Sequence, residues 1–173
     1  MTYFTPELFI RLQSEKEEIL EKAEIDWEEA LTLYRTRLSQ VRDELPDSVR
    51  ELVEGHFLHD AEILGIGAEE ARFVIAVRTR EPEDELLVLV YELVENAEIA
   101  REVLPESLRS DAMHWLHDEI GVGTAAMEFN HEILFSNGWL VGLRFRSLEA
   151  VSTKSLTIPG PWSRPTPSTA RTA

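Results

Sequence analysis

The chain has 173 residues, no cysteine, and 33 acidic against 17 basic residues, for a net charge of −16. Disulfides, thiolate metal sites, iron–sulfur clusters and a cysteine nucleophile are therefore excluded. So acidic a chain argues against a nucleic-acid partner and an anionic membrane surface, where basic side chains supply most of the affinity.

Apolar residues make up 43% and charged residues 29%, which suits a soluble globular protein of one domain. The opening Met1-Thr2-Tyr3-Phe4-Thr5-Pro6 lacks the basic and apolar stretches of a secretory leader. No apolar run is long enough to span a bilayer as a helix. These features read as a cytoplasmic protein.

The N-terminal third has helical spacing. Thr5, Pro6 and Glu7 form an N-cap, N1 and N2 sequence, and Leu8, Leu12, Ile19 and Ala23 continue a stripe, predicting a helix to about Lys22. Asp26 with Glu29 reads as a capping box for a second helix, whose stripe is Trp27, Leu31, Tyr34, Leu38, Val41 and Leu45 before Pro46. The acidic run from Glu15 to Glu29 is assigned to solvent faces.

The period then changes. Phe73, Ile75, Val77 and Thr79 alternate with Arg72, Val74, Ala76 and Arg78, a half-buried strand. Glu81-Pro82-Glu83-Asp84 is turn material, and Leu86 to Val94 is apolar on both faces, as in a central strand. Strands at 131–136 and 139–147 flank Ser136-Asn137-Gly138, where Asn-Gly predicts a primed turn with two positive φ values. Val141, Leu143 and Phe145 would face the core with Trp139, and the other body tryptophans, Trp27 and Trp115, also read as core.

The chain resembles itself. Residues 45–60 read LPDSVRELVEGHFLHD and residues 104–118 read LPESLRSDAMHWLHD. Each copy leads into a Gly-x-Gly segment and then strand, turn, strand. The expected fold is α+β, with N-terminal helices packed on an antiparallel sheet built from two similar helix-plus-strands units related by a pseudo-two-fold axis. One domain over 1–151 is expected: helical 1–45, unit one about 45–97, unit two about 104–151. All acids lie at or before Glu149, and 152–173 is rich in Pro, Ser and Thr, so it is expected to be a disordered tail carrying Trp162.

Four of the five histidines sit in the paired His-x-x-His-Asp elements: His56, His59 and Asp60, then His114, His117 and Asp118. Converging imidazoles and carboxylates would suit a divalent transition metal and hydrolytic chemistry. The structural reading is stronger. In extended chain, positions i and i+3 point to opposite faces, which would align His117 with Trp115 and Glu119. Asp60 and Asp118 would then satisfy backbone amides at each helix-to-strand junction, with His59 and His117 as hydrogen-bonded packing residues. Arg78, Arg80, Arg144 and Arg146 could line one sheet face and hold an anion or a partner. Cross-strand ion pairs with Glu92, Glu128 or Glu132 explain them more simply.

No catalytic residue is assigned. The glycines at 65, 67, 121 and 123 lack the third glycine and the following helix of a dinucleotide loop, and no phosphate loop or nucleophile elbow is present.

Tyr3-Phe4-Thr5, Leu116-His117-Asp118-Glu119-Ile120 and Ile133-Leu134-Phe135-Ser136-Asn137-Gly138 resemble a family of small uncharacterised bacterial proteins with a helical start and a β-rich end. That resemblance implies a bacterial cytoplasmic protein over about 1–150 and transfers no functional residue. The function expected is a non-catalytic protein-interaction or regulatory module without cofactor, its partner a protein, basic by charge. The alternative is a metal-binding protein or metal-dependent hydrolase using the duplicated elements.

Overall fold

A computed structural model describes residues 1–79, 84–125 and 127–154. The expectations for Arg80, most of the 81–84 turn and the tail from 155 onward lie outside them. Three helices come first: α1 (Pro6–Leu12), α2 (Glu17–Val41) and α3 (Asp47–Gly55). Seven strands follow: β1 (Glu62–Glu69), β2 (Arg72–Thr79), β3 (Glu85–Leu93), β4 (Glu98–Ala100), β5 (Trp115–Val122), β6 (Phe129–Phe135) and β7 (Leu140–Lys154). They form one curled antiparallel sheet in the order β1-β2-β3-β7-β6-β5, with β4 also paired to β7. The fold is α+β, and none of the described helices is long and apolar enough to cross a membrane.

The Thr5 cap is present, its Oγ1 accepting from the Leu8 N–H at 3.2 Å. The break expected near Asp26 is not there. The chain leaves the helix after Leu12, and α2 runs unbroken through Asp26. That carboxylate accepts from Arg11 Nη1 at 2.5 Å instead of capping a helix. Ala23 and Ala30 lie buried on either side of it, packed with Phe4 and Leu8, so the apolar face has no reason to stop.

β2 buries Phe73, Ile75 and Val77 as its alternation predicts. β3 lies between β2 and β7, burying Leu87, Leu89, Tyr91 and Leu93 inward with Leu86, Val88 and Val90 half-buried outward. The core fills the concave side, where Val49 and Leu52 of α3 meet Ile75, Leu89, Trp115 and Phe145. β7 continues to Lys154, opposite Glu85, so the compositional change at residue 152 falls inside a strand.

Two meanders, β1-β2-β3 and β5-β6-β7, meet at the antiparallel β3·β7 pair. Nine residues of α3 precede the first, but only a 3-10 turn, Glu106–Leu108, precedes the second. There the Ser110 N–H donates to Ser136 O at 2.9 Å, drawing the chain onto the β6–β7 hairpin instead of prolonging a helix.

The outer strands meet at one short seam. The Asp60 N–H donates to Trp115 O at 2.8 Å, the Trp115 N–H to Ala61 O at 2.9 Å and the Ile63 N–H to Met113 O at 2.8 Å.

The hairpin turn differs from the primed form. Only Gly138 has positive φ, at 82°. The Gly138 N–H donates to Phe135 O at 2.9 Å and the Phe135 N–H to Trp139 O at 2.8 Å, the pattern of a type I turn closed by a left-handed glycine bulge. Asn137 does not need positive φ, because its Oδ1 accepts from the Trp139 N–H at 3.1 Å and holds the turn locally. A Cβ on Gly138 would stand 2.8 Å from Arg109 Cδ, so glycine is required twice over.

Candidate functional site

A concavity of about 580 Å³ lies between α2, the end of α3 with its following loop, and the start of β5. α2 supplies Trp27, Leu31, Tyr34, Arg35 and Leu38. The α3 side supplies Leu52, Val53 and the 56–59 loop, and β5 supplies Leu116, His117 and Asp118. The walls are mainly apolar with a few polar groups, the usual make-up of a ligand site.

A β-bulge between Trp115 and His117 sets which side chains of β5 reach the cleft. Leu116 is the extra residue. It packs with Leu104 and Leu134, away from the central core. The bulge flips the alternation expected from the sequence. Trp115, Asp118 and Ile120 share the core side, whereas His117 and Glu119 face the helices.

Asp118 does not cap backbone amides. Its Oδ1 accepts from Trp115 Nε1 at 2.8 Å, and its Oδ2 lies 3.0 Å from Nε2 of the fully buried His131. His131 Nδ1 in turn lies 2.9 Å from the hydroxyl of the fully buried Tyr91. With Tyr91 donating to Nδ1, His131 donates to Asp118, and both ring nitrogens of His131 have a partner. Burial pushes the Asp118 carboxyl up, but its bonds to His131 and Trp115 outweigh that and hold it below the ordinary range. Burial drives the Tyr91 hydroxyl well above its ordinary value, with the Asp118 charge acting the same way. Tyr34 is raised too, by burial first and then by Asp118. Its hydroxyl accepts from the Ile120 N–H at 2.7 Å, tying α2 to β5.

His59 and His117 meet face to face, with ring centroids 5.2 Å apart and planes 8° from parallel. His59 Nδ1 lies 2.6 Å from Leu116 O, so that nitrogen carries the proton. His117 also packs on Trp27 at 4.7 Å and near Phe4 at 6.1 Å. It makes no hydrogen bond to any described residue, and its ring nitrogens remain accessible. Burial and the neighbouring His59 lower its pKa to about 4, so this imidazole is neutral at neutral pH.

The duplicated elements converge only in part. His56, His59, His117 and Asp118 line the cleft. His56 Nδ1 lies 3.8 Å from Glu85 Oε2 at the rim. Asp60 is exposed, with φ of 62°, and its carboxylate is 3.6 Å from His59 Nε2. His114 lies elsewhere, bridged to Glu62, its N–H donating to Ser136 Oγ at 2.8 Å. Among the described residues no group of three or more His, Cys, Asp or Glu is placed to hold a metal ion. The four imidazoles therefore do not converge on one point. As successive strand residues, His117 and Asp118 point to opposite faces, and His131 and Trp115 occupy the Asp118 oxygens.

The arginines do not form one patch either. Arg78 stands level with Leu86 and Thr153, whereas Arg144 lies nine residues earlier along β7, roughly 30 Å at the strand rise. Arg78 lies 3.9 Å from both Glu62 and Asp84. Arg144 pairs with Glu95 at 2.8 Å and with Glu128 at 2.9 Å. Arg146 is exposed. Of the expected acid partners only Glu128 pairs with one of these arginines among the described residues. Glu132 accepts from the Met1 amine at 2.5 Å, and Glu92 from Ser147 Oγ at 3.1 Å.

Sequence reasoning missed two features beside the cleft. One is His131, which follows the buried Phe129 by two positions in a strand and so must point inward and find a partner. The other is Glu119, whose carboxylate accepts from the N–H groups of Thr2, Tyr3 and Phe4 at 2.7, 2.6 and 2.6 Å. That bond set lays the N-terminal residues against β5 and fixes Phe4 as a cleft wall. No family model matches the chain, and no curated protein matches it, so neither comparison bears on the family resemblance drawn from the sequence.

Proposed function

We propose that the chain is a non-catalytic interaction or regulatory module that works by holding a small molecule with an apolar body in the α2–α3–β5 cleft. The observation that carries this reading is the cleft itself, an apolar space of about 580 Å³ into which few polar groups project. Its chemistry favours binding over catalysis. The lining offers no serine, threonine, cysteine or lysine as a nucleophile, and the Tyr34 hydroxyl is bonded to Ile120. A cytoplasmic, bacterial protein is part of the proposal. A basic protein partner would meet the outer face of α2, where Glu17, Glu18, Glu21, Glu24 and Glu28 are exposed.

The test is a titration of ¹⁵N-labelled protein with 1-octanol, beside the variant Val53→Trp, which places a ring in the space. Shifts confined to cleft residues and lost in a folded Val53→Trp protein are expected. Shifts spread over the surface, or unchanged in the variant, would refute the cleft as the site.

A further inference from the structure

We infer that the ligand of this cleft is an amphipathic carboxylate, its apolar body along α2 and its carboxylate on Arg35. The inference rests on the cleft reading and adds the charge and length of what fills it. Among the described residues, Arg35 is the only lysine or arginine in the lining. It forms no ion pair with any described residue, although Arg11, Arg42 and Arg144 of this acid-rich chain all find carboxylates. An unpaired guanidinium beside apolar wall is a ready fork for a carboxylate.

The other polar groups point the same way. Asp118 is the only carboxylate in the lining, and Trp115 and His131 already occupy its oxygens, so it does not call for a cationic ligand. The neutral imidazole of His117 contributes no positive charge that would compete with Arg35 for the carboxylate. The long-range field of the chain is negative, but it is screened within about 8 Å at physiological salt, whereas the Arg35 contact is direct. Length follows from α2. Trp27, packed at a tilt on His117 at one end, and Arg35 at the other are eight residues apart, about 12 Å along the helix. The accessible nitrogens of His117 would take a hydrogen-bonding group at the far end of the ligand.

Three eight-carbon probes differing only in the head group test this: octanoate, 1-octanol and octylammonium, each titrated calorimetrically into the full chain and into Arg35→Gln. Octanoate should bind about tenfold tighter than octanol, the scale of one charge-assisted pair. Arg35→Gln should erase that advantage, so that octanoate and octanol bind the variant alike. Equal affinity for the three, preference for octylammonium, or an octanoate affinity indifferent to Arg35→Gln would overturn the carboxylate assignment while the cleft still binds. If none of the three binds, the cleft reading itself falls.

Discussion

His117 and Asp118 are neighbours in sequence with opposite chemistries. Asp118 stays ionised because two donors meet it, and His117 stays neutral because burial and then the neighbouring His59 disfavour its charge. The unfolded imidazole of His117 gains a proton near pH 6.5, but the folded one only near pH 4, so between those values the unfolded chain binds more protons. Folding is therefore increasingly penalised by this residue as pH falls through that window, and unpenalised above it. His117→Phe keeps the packing on Trp27 and removes the penalty. Urea midpoints of the variant and the native protein should diverge in the variant's favour from pH 6.5 down to pH 4. A difference that is flat with pH would contradict the assignment. This pairing was half legible. The sequence places the two histidines in matched elements and expects hydrogen-bonded packing roles; His59 has such a bond, to Leu116 O, whereas His117 has none to a described residue. Alternation places His117 with Glu119 and Asp118 with Ile120, but the side taken by Trp115 was not legible, because one bulged residue, Leu116, shifts the pattern and nothing in its identity announces it.

At the scale of elements, the helices and the later strands follow their apolar periods, and boundaries are where local signals mislead. Asp26 and Glu29 satisfy a capping pattern, yet Arg11 claims Asp26 from another helix, a tertiary contact no local reading contains. The Asn-Gly hairpin is correctly placed, but its turn type depends on the hydrogen bonds around Phe135. The least predictable element is the segment before α1. Three successive N–H groups of Thr2, Tyr3 and Phe4 converge on the Glu119 carboxylate across more than a hundred residues of chain. Glu119→Gln keeps the shape but turns an NH₂ group toward amides that need an acceptor. A loss of about 2–3 kcal/mol is expected, the scale of hydrogen bonds to a charged group left unmade. Chemical denaturation measures it, and proteolysis at the N-terminal residues should accelerate in parallel. A variant as stable as the native chain would show that Phe4 packing alone holds this segment.

The whole molecule carries a net charge of −16 on a sheet whose two outer edges meet only briefly among the described residues. Self-repulsion destabilises a compact acidic body, and salt screens it. Raising the ionic strength from about 0.02 M to about 0.5 M should therefore raise the melting temperature, and a fall would show that attractive ion pairs such as Arg144 with Glu95 and Glu128 outweigh the repulsion. The seam has a further consequence. Its hydrogen bonds join Asp60, Ala61 and Ile63 to Met113 and Trp115, directly beside His59 and Leu116 in the cleft wall. The stitch that closes the barrel-like curl and the wall that touches a guest are thus the same few residues. Occupancy should be legible in hydrogen–deuterium exchange as slower loss of the Asp60, Ile63 and Trp115 amide protons, while the amides of the distant β3·β7 ladder keep their rates.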